Sequence, residues 1–528
     1  MLKAGVSPPS SVANLEPEDQ VKLNKLWDVW SIKLTSNQQK ETYYNLKNRI
    51  KNMGISIPRH LEQFGTVIGW PTKAVDILAN RSIFEGFGFK SGRNSDLDEI
   101  LRQNNFDLLY QQSVESELIS CAFMTVSKGE DGEPEVVTTA YSAQFAAAKW
   151  NKRKKRIDYG MATVKSDKDG EPTEVNLYTD ECTIVIWRGT IGWEAEYYPH
   201  IHGRPLIEPL MYRPSLDKPL GRSRINQAVM DITNSAMRTT LRTEVAAEFF
   251  TSPLKYLLGV DDDFWTGEIK QNDKGEDIIP DTTQKKTDAT LGGIFTVGYN
   301  DNGDIPHFGQ LTQMSMQPHT DHLRSLAAQF SGETSVPVSS LGIVQDNPSS
   351  AEAIYAAKED LVIEANNLNK TNGVSLKNIG LLALAVLQDK AVNDLTDEEK
   401  SIGVNWMNPA TPSIVSQADA MVKTASINET VATALIKSGV LFEELGFSDE
   451  QRRRLENSLR AASALDTLNN IATGGTEKKR EATMYKITSV LRQLRAGQIT
   501  KETALKLLAM EGVSDEDAAG CLSSNEMT

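Results

Sequence analysis

The stretch HGRPLIEPLMYRPSLDKPLGRS, residues 202–223, separates a β-rich part of the chain from a helical part. It contains four prolines, at positions 205, 209, 214 and 219. Proline fixes φ and carries no amide hydrogen, so this density excludes a helix and the centre of a sheet. We therefore predict an extended connector here, with different structures on its two sides.

Before the connector, the pattern indicates helices followed by strands. Residues 17–50 repeat apolar positions at helical intervals, with a break expected near Ser36. From Cys121 onward, short alternating runs such as EVVTTAYS and CTIVIWRG are typical of strands. The tetrad Asp-Gly-Glu-Pro occurs at 131–134 and again at 169–172, and Asp-Gly is the preferred pair for a tight hairpin turn. The sequence therefore predicts an antiparallel meander.

After the connector, the pattern is mostly helical. A first helix is predicted over 222–250, followed by short strands with polar loops and a second helix from Pro318 to Phe330. Four apolar residues at i, i+4, i+7 and i+11 share one face of the first helix. They are Ile225, Val229, Ile232 and Ala236.

A third and longer helix is predicted from a capping box. Ser349 is the expected N-cap, and Glu352 stands three residues later. The apolar stripe then continues to Leu387, with a kink expected near Gly373 because glycine interrupts the pattern. Beyond Pro412 the sequence predicts helices only.

Length and charge limit the class of protein. The chain has 528 residues, too many for a single hydrophobic core, so we expect several domains. The longest apolar run is too short to cross a bilayer, and the N-terminus lacks the apolar core of a signal peptide. A formal net charge of -15 opposes tight wrapping of a polyanion. Any surface that grips DNA would have to be local.

Signatures of catalysis and metal binding are weak. The three cysteines lack CxxC spacing, and neither a phosphate-binding loop nor a complete nucleophile elbow occurs. His200 and His202 share a face of a predicted strand but have no third metal ligand nearby. The basic run Lys152–Arg156 fits either a solvated hairpin turn or a contact with phosphates or an acidic partner. We predict no catalytic residue, no metal site and no cofactor.

Taken in order, these elements resemble the portal, or head-to-tail connector, proteins of tailed bacteriophages, particularly the siphovirus kind. The resemblance covers roughly residues 40–460, whereas residues 1–16 and the chain after about 470 match nothing in that family. The stretches that carry it are YYNLKNRI (43–50), ILANRSIFEGFGF (77–89), GRPLIEPLMYRPSLDKPLGRSRI (203–225), TSPLKYLLGV (251–260) and SVPVSSLGIVQDNPSSAEAI (335–354).

The resemblance implies an α+β, multidomain portal fold. Such a fold has an α/β wing, a helical stem, a small β-rich clip, a long kinked helix and an α-helical C-terminal crown. Its parts would be the wing (17–221), stem helix 1 (222–250), the clip (251–316), stem helix 2 (317–334), a tunnel loop (335–349), the long kinked helix and wing return (350–412), and the helical crown with the C-terminal tail (413–528). Separately, residues 1–16 are rich in serine and proline and lack apolar periodicity, which predicts a flexible arm (1–16).

The resemblance also implies a function. Twelve copies would form a ring at one capsid vertex of the virion, after assembly in the host cytoplasm. The ring would be the channel for DNA packaging and ejection, and double-stranded DNA would pass through it without sequence specificity. Its expected partners are the terminase large subunit, the head-tail adaptor protein, the major capsid protein and a scaffold protein. A ring of this kind hydrolyses nothing itself, and no membrane is involved.

Short polar side chains in the implied tunnel loop are the candidates for facing DNA. They suit a surface that a duplex passes without sequence readout. A plain loop leading into a helix is the alternative interpretation. The candidates are Ser339, Ser340, Gln345, Asp346 and Asn347.

Charged residues on the implied first stem helix are candidates for contacts between subunits. Ser235, Arg238 and Arg242 lie at i, i+3 and i+7 on one face, and Glu244 and Glu248 follow. Ion pairs between neighbouring subunits are one interpretation, and contact with DNA is the other.

Two further groups of charges complete the candidates. Arg222 and Arg224 stand at a helix start, where the macrodipole disfavours cations, so we expect an acidic partner from another segment or subunit. In the implied clip, Asp261, Asp262 and Asp263 are candidates for binding a partner protein, although a turn or a cation site would use aspartates in the same way.

Two other classes of function stay open at this stage. The chain could be another virion structural or scaffold protein, which would form sheets, smaller rings or monomers. It could also be an enzyme whose site lacks a recognisable motif.

Overall fold

The computed structural model describes residues 2–49, 66–89, 94–251, 255–259, 270–271, 275, 277–278, 299, 303–310, 315–343 and 356–410. The chain divides into two units, Met1–Ala410 and Thr411–Thr528. All the elements below belong to the first unit. The predicted crown at 413–528 lies outside the described residues.

The part before the connector combines four helices with two sheets. The architecture is α+β, as predicted from the change of texture near Cys121. Its helices are α1 (Pro17–Tyr44), α2 (Trp70–Ala79), α3 (Ser95–Gln103) and α4 (Phe106–Ile119). Its strands are β1 (Val12–Ala13), β2 (Phe84–Gly88), β3 (Ala122–Lys128), β4 (Val136–Ser142), β5 (Ala146–Asn151), β6 (Arg156–Ser166), β7 (Pro172–Tyr178), β8 (Cys182–Arg188) and β9 (Trp193–Pro199), and β10 (Ile207–Leu210) follows within the connector.

The predicted meander forms most of a six-stranded sheet with the order β1-β9-β8-β7-β6-β5. A second sheet has the order β10-β3-β4. Both Asp-Gly-Glu-Pro tetrads lie where they were predicted, between β3 and β4 and between β6 and β7. Gly132 and Gly170 have φ of 92° and 80°, a region that suits glycine because it has no Cβ. The β6–β7 turn is short, whereas residues 129–135 form a longer loop between β3 and β4.

Residues 2–16 differ from the flexible arm predicted for 1–16. Val12 and Ala13 form β1, which pairs in parallel with Trp193 and Glu194 of β9. The side chain of Leu2 is 3% exposed, in a cluster with Trp27 and other residues of α1. The expectation was wrong because it weighed the serine and proline content and missed the few apolar residues that bury themselves against α1.

Helix α1 is continuous from Pro17 to Tyr44, so the break expected near Ser36 is absent. The helix packs its buried face, which includes Trp27 and Trp30, onto the six-stranded sheet. The Trp30 indole donates to the carbonyl of Gln144 at 2.6 Å, which satisfies a buried polar group. Tertiary packing therefore holds one continuous helix where the pattern suggested a break.

The connector contains one short strand that the proline argument did not predict. Strand β10 pairs with β3 and lies at the edge of its sheet. Pro209 sits within it. An edge strand tolerates proline because one side of it needs no amide donor. The prediction that the connector forms no central strand is therefore confirmed, but the edge strand was not predicted.

The part after the connector begins with two helices. They are α5 (Gln227–Thr251) and α6 (Gln317–Thr334), within a few residues of the predicted spans. Between them, short strands form two small antiparallel sheets. These strands are β11 (Lys255–Leu258), paired with β14 (His307–Gln310), and β12 (Lys270–Gln271), paired with β13 (Asp277–Ile278).

The long helix α7 spans Glu359–Gln388 and forms the centre of the largest core. It runs through Gly373 as one continuous helix, whereas a kink was expected there. The capping box at Ser349 and Glu352 lies outside the described residues. After a short helix α8 (Asp397–Lys400), strand β15 (Gly403–Trp406) pairs with β2 and closes this part of the core.

Candidate stem and channel surfaces

Helices α5 and α6 form an antiparallel pair, which we call the stem. At one end, the Asn226 side chain just before α5 donates to Glu333 near the end of α6 at 2.6 Å. At the other end, β11 follows α5 and pairs with β14, so that Lys255 lies opposite Gln310. The 25 residues of α5 correspond to about 37 Å of helix. The two helices therefore run in opposite directions and are joined at both ends.

The root of the stem is held by the buried guanidinium of Arg224. Its Nε donates to the carbonyl of Ala74 in α2 at 2.7 Å, and a second nitrogen donates to the carbonyl of Thr334, the last residue of α6. The third nitrogen lies 2.6 Å from the Glu364 carboxylate of α7. One side chain thus joins α2, the end of α6 and α7 at the point where α5 begins.

Glu364 is the acidic partner that the sequence predicted for Arg224 without identifying it. The Arg224 and Glu364 side chains are 2% and 5% exposed. Tyr212 of the connector donates to the same carboxylate, and Arg213 contacts it from the surface at 3.1 Å. A buried pair of this kind is costly to break, because the remaining charge stays buried without compensation. The partner comes from another segment of the same chain.

Arg222 behaves differently from Arg224 although both precede α5. Its side chain is exposed, and its guanidinium reaches only the Ser215 hydroxyl at 3.5 Å. The described residues provide no acidic partner for it, so the shared expectation is confirmed for one arginine alone.

The stem-face candidates lie together on α5. Arg238 donates to the Ser235 hydroxyl at 2.9 Å, as the i, i+3 spacing predicts. The Nε of Arg242 is buried and has no hydrogen-bond partner, and Glu244 is exposed. Glu248 belongs to the same helix. No ion pair joins Arg238, Arg242 or Glu244 to any residue that the structure describes, which leaves their charges available to another molecule.

The tunnel-loop and clip candidates are only partly described. Ser339 and Ser340 lie in a 3-10 helix, Val338–Leu341, directly after the stem. The remaining tunnel-loop residues and the clip aspartates lie outside the described residues. They are Gln345, Asp346, Asn347, Asp261, Asp262 and Asp263.

Sequence reasoning missed a second buried polar network, between α4 and α7. Glu117 is fully buried and accepts a hydrogen bond from Asn372 at 2.7 Å. Burial raises the pKa of Glu117 to about 8, against the opposing effect of that hydrogen bond. Tyr110 accepts from Asn372 at 3.2 Å and also bonds Ser82. We assign the network to packing between α4 and α7.

The basic run and the two histidines that were considered for binding or metal chemistry have structural roles. Lys152–Arg156 lies at the β5–β6 hairpin turn, which is one of the two interpretations of this run, and Lys154 pairs with Asp158 and Asp180. The rings of His200 and His202 stack with centroids 5.2 Å apart, and burial together with His202 lowers the pKa of His200 to about 4. Among the described residues, no three His, Cys, Asp or Glu side chains gather as metal ligands would. No described helix is long and apolar enough to span a bilayer.

Two known portal proteins are similar in sequence to this chain. The portal protein of Mycobacterium phage L5 is 26% identical over 397 residues, which cover 72% of this chain and 77% of that protein. The portal protein of Mycobacterium phage D29 is 26% identical over 400 residues, with the same shares covered.

Two solved structures show a distant likeness. The virion of a native gene transfer agent particle matches with a TM-score of 0.39 and 12% identity, covering 67% of this chain and 86% of that one. The neck of an empty gene transfer agent particle, computed with C6 symmetry, matches with a TM-score of 0.40 and 11% identity, covering 68% of this chain and 85% of that one.

The model of the family described as "Phage portal protein, SPP1 Gp6-like" matches residues 23–438. Because this match spans most of the sequence, the chain belongs to that family of phage portal proteins.

Proposed function

We propose that this chain assembles into a ring of twelve copies at one capsid vertex of a phage virion. The ring would be the channel through which double-stranded DNA is packaged and ejected. Membership of the portal family supports this function, and so does the antiparallel stem rooted by Arg224 and Glu364. A stem of two helices fixed at one end can pack side by side with its copies around an axis.

The charge of the chain suits passage rather than retention of DNA. A net charge of -15 on each copy gives the ring a repulsive field toward phosphates. In this proposal Ser339 and Ser340 face the channel as short polar groups, together with Gln345, Asp346 and Asn347. The role is structural, and no chemical step is assigned to any residue.

The proposal includes partners at the far end of the stem. The small sheets beyond α5 and α6 form the clip, and the terminase large subunit and then the head-tail adaptor dock there. Asp261, Asp262 and Asp263 are the proposed contact residues of the clip. The major capsid protein and a scaffold protein contact the ring during assembly in the host cytoplasm.

Electron microscopy of the purified protein, with native mass determination on the same sample, tests the ring. Twelve copies of 58.3 kDa predict a particle of about 700 kDa with an axial hole. Because some rings need a partner to assemble, a monomeric result is repeated with scaffold and capsid proteins. A chain that stays monomeric with these partners contradicts the proposal.

A further inference from the structure

A cavity of about 850 Å³ lies beside the root of the stem. Its walls are the middle of α1, the end of β5 and the connector between Tyr212 and Arg224. Asn226 and Glu333, which join α5 to α6, also line it. The cavity therefore lies where the wing meets the stem.

The lining of this cavity is strongly basic, although the chain as a whole is acidic. Of the nineteen described residues that line it, eight are lysine or arginine and only Glu333 is acidic. Glu333 already accepts a hydrogen bond from Asn226, and Glu364 offsets Arg213 and Arg224. We call the cavity the basic cleft and define it by its six other cations, Lys33, Lys40, Lys149, Lys152, Lys218 and Arg222.

The cations of the basic cleft have no carboxylate partner within the described residues. Lys33 and Lys40 lie two turns apart on the same face of α1, and Lys218 approaches them from the connector. Burial, followed by the like charges of Lys33 and Lys218, lowers the pKa of Lys40. Cations that repel one another in a cleft are stabilised by an anion from another molecule.

An exposed group of carboxylates with the opposite character lies in the β3–β4 turn. Residues 130–135, Glu-Asp-Gly-Glu-Pro-Glu, are defined here as the acidic turn. Its four carboxylate residues are exposed, and none of them pairs with a cation that the structure describes. The cleft and the acidic turn are thus two complementary and unsatisfied surfaces of one chain.

The two surfaces lie at opposite ends of β3. Ser120, which stands just before β3, lines the cleft, whereas the acidic turn follows the other end of that strand. The seven residues of β3 extend over about 23 Å. A head-to-tail ring requires complementary patches on different sides of one subunit.

We propose that the basic cleft of one copy receives the acidic turn of the neighbouring copy in the ring. This inference rests on the proposed ring and identifies one of its subunit contacts. It also gives a reason for a basic surface in an acidic chain, since copies that each carry a net charge of -15 repel one another unless opposite charges meet at their interface.

A charge-swap experiment on the full-length protein tests the contact. The cleft variant carries Lys33→Glu, Lys40→Glu and Lys218→Glu. The turn variant carries Glu130→Lys, Asp131→Lys and Glu135→Lys, and it keeps Glu133, which accepts the backbone N–H of Glu130 at 3.1 Å. The combined variant carries both sets and has the net charge of the natural chain. A control variant makes the same charge change as the cleft variant at exposed lysines elsewhere, with Lys25→Glu, Lys168→Glu and Lys370→Glu.

Ring formation is measured by sedimentation velocity and native mass at about 0.15 M salt, where the Debye length is about 8 Å. We expect the cleft and turn variants to lower the association constant of each interface about tenfold, as three weakened ion pairs would. The combined variant should recover ring formation, and the control should assemble like the natural chain. Thermal unfolding of each variant shows whether the subunit itself is intact.

Several outcomes would overturn the inference. The inference is wrong if the cleft and turn variants form rings as readily as the natural chain. It is also wrong if the combined variant forms rings no more readily than the cleft and turn variants. A cleft variant that forms normal rings but loses affinity for duplex DNA would assign the cleft to phosphates instead. If the natural chain forms no ring with its partners present, the proposed function fails as well, so the two failures are distinguishable.

Discussion

Replacing Arg224 by methionine should loosen the junction between the wing and the stem. The guanidinium makes three contacts with backbone or hydroxyl oxygens and one with the Glu364 carboxylate. Methionine fills a similar volume but supplies no donor. Glu364 is then left buried with Tyr212 and Arg213 as its remaining partners.

The expected loss follows from burial. Removing one member of a buried ion pair costs about 3–5 kcal/mol, because the other charge remains desolvated. Arg213 still lies 3.1 Å from Glu364, although it is 60% exposed, so we expect the lower end of this range, about 3 kcal/mol. That is a large share of the 5–15 kcal/mol by which domains are typically stable.

Urea unfolding followed by tryptophan fluorescence measures this loss, with variants compared in the same oligomeric state. Trp70 is a suitable reporter, because its ring lies 5.4 Å from that of Phe330 in α6 at the same junction. Arg222→Met is the matched control, since Arg222 is exposed and should change the free energy of unfolding by less than about 0.5 kcal/mol.

A double variant separates the ion pair from packing. Arg224→Met combined with Glu364→Leu removes both charges, so it should recover at least half of the loss. A loss below about 1 kcal/mol for Arg224→Met, or one equal to that of Arg222→Met, would refute the reasoning.

Three further predictions concern the stem, a buried carboxyl and the long helix. Arg238→Glu should weaken ring assembly, measured by native mass, whereas an unchanged ring would argue against pairing between subunits at this face. Glu117→Gln should be more stable than the natural chain at pH 8 and nearly equal to it at pH 4.5. The raised pKa of about 8 makes the natural chain lose stability as pH rises from about 4.5 to 8, by up to about 1.4 kcal/mol per pH unit, so parallel stability curves would contradict this. Gly380→Ala should destabilise by about 1–3 kcal/mol, since its Cβ would stand 2.7 Å from Ile402. Gly373→Ala on the same helix meets nothing closer than 3.7 Å and should stabilise by up to about 1 kcal/mol; equal thermal shifts would refute the packing argument.

The local structure was largely predictable because it depends on neighbouring residues. Apolar spacing predicted α5 and α6, and the two Asp-Gly pairs predicted hairpin turns that the glycine φ angles confirm. The macrodipole argument also predicted that Arg224 needs an acid. Such rules involve residues a few positions apart, where sequence and geometry are directly linked.

The partners across the fold were not predictable by the same rules. Nothing near Arg224 in sequence indicates Glu364, and nothing near Val12 indicates Trp193. The basic cleft combines α1, β5 and the connector, three segments whose lysines look like ordinary surface charge when each is considered alone. Packing decided which of these side chains share a cavity.

By itself the sequence determined most of the described helices and strands, where most of their turns fall and which family the chain resembles. Only the tertiary structure decided that residues 2–16 are packed, that α1 is unbroken, and that Arg224 is neutralised within its own chain. The physical reason is that backbone preferences are set by local sterics and hydrogen bonds, whereas burial and charge compensation depend on surfaces that meet only after the chain has folded.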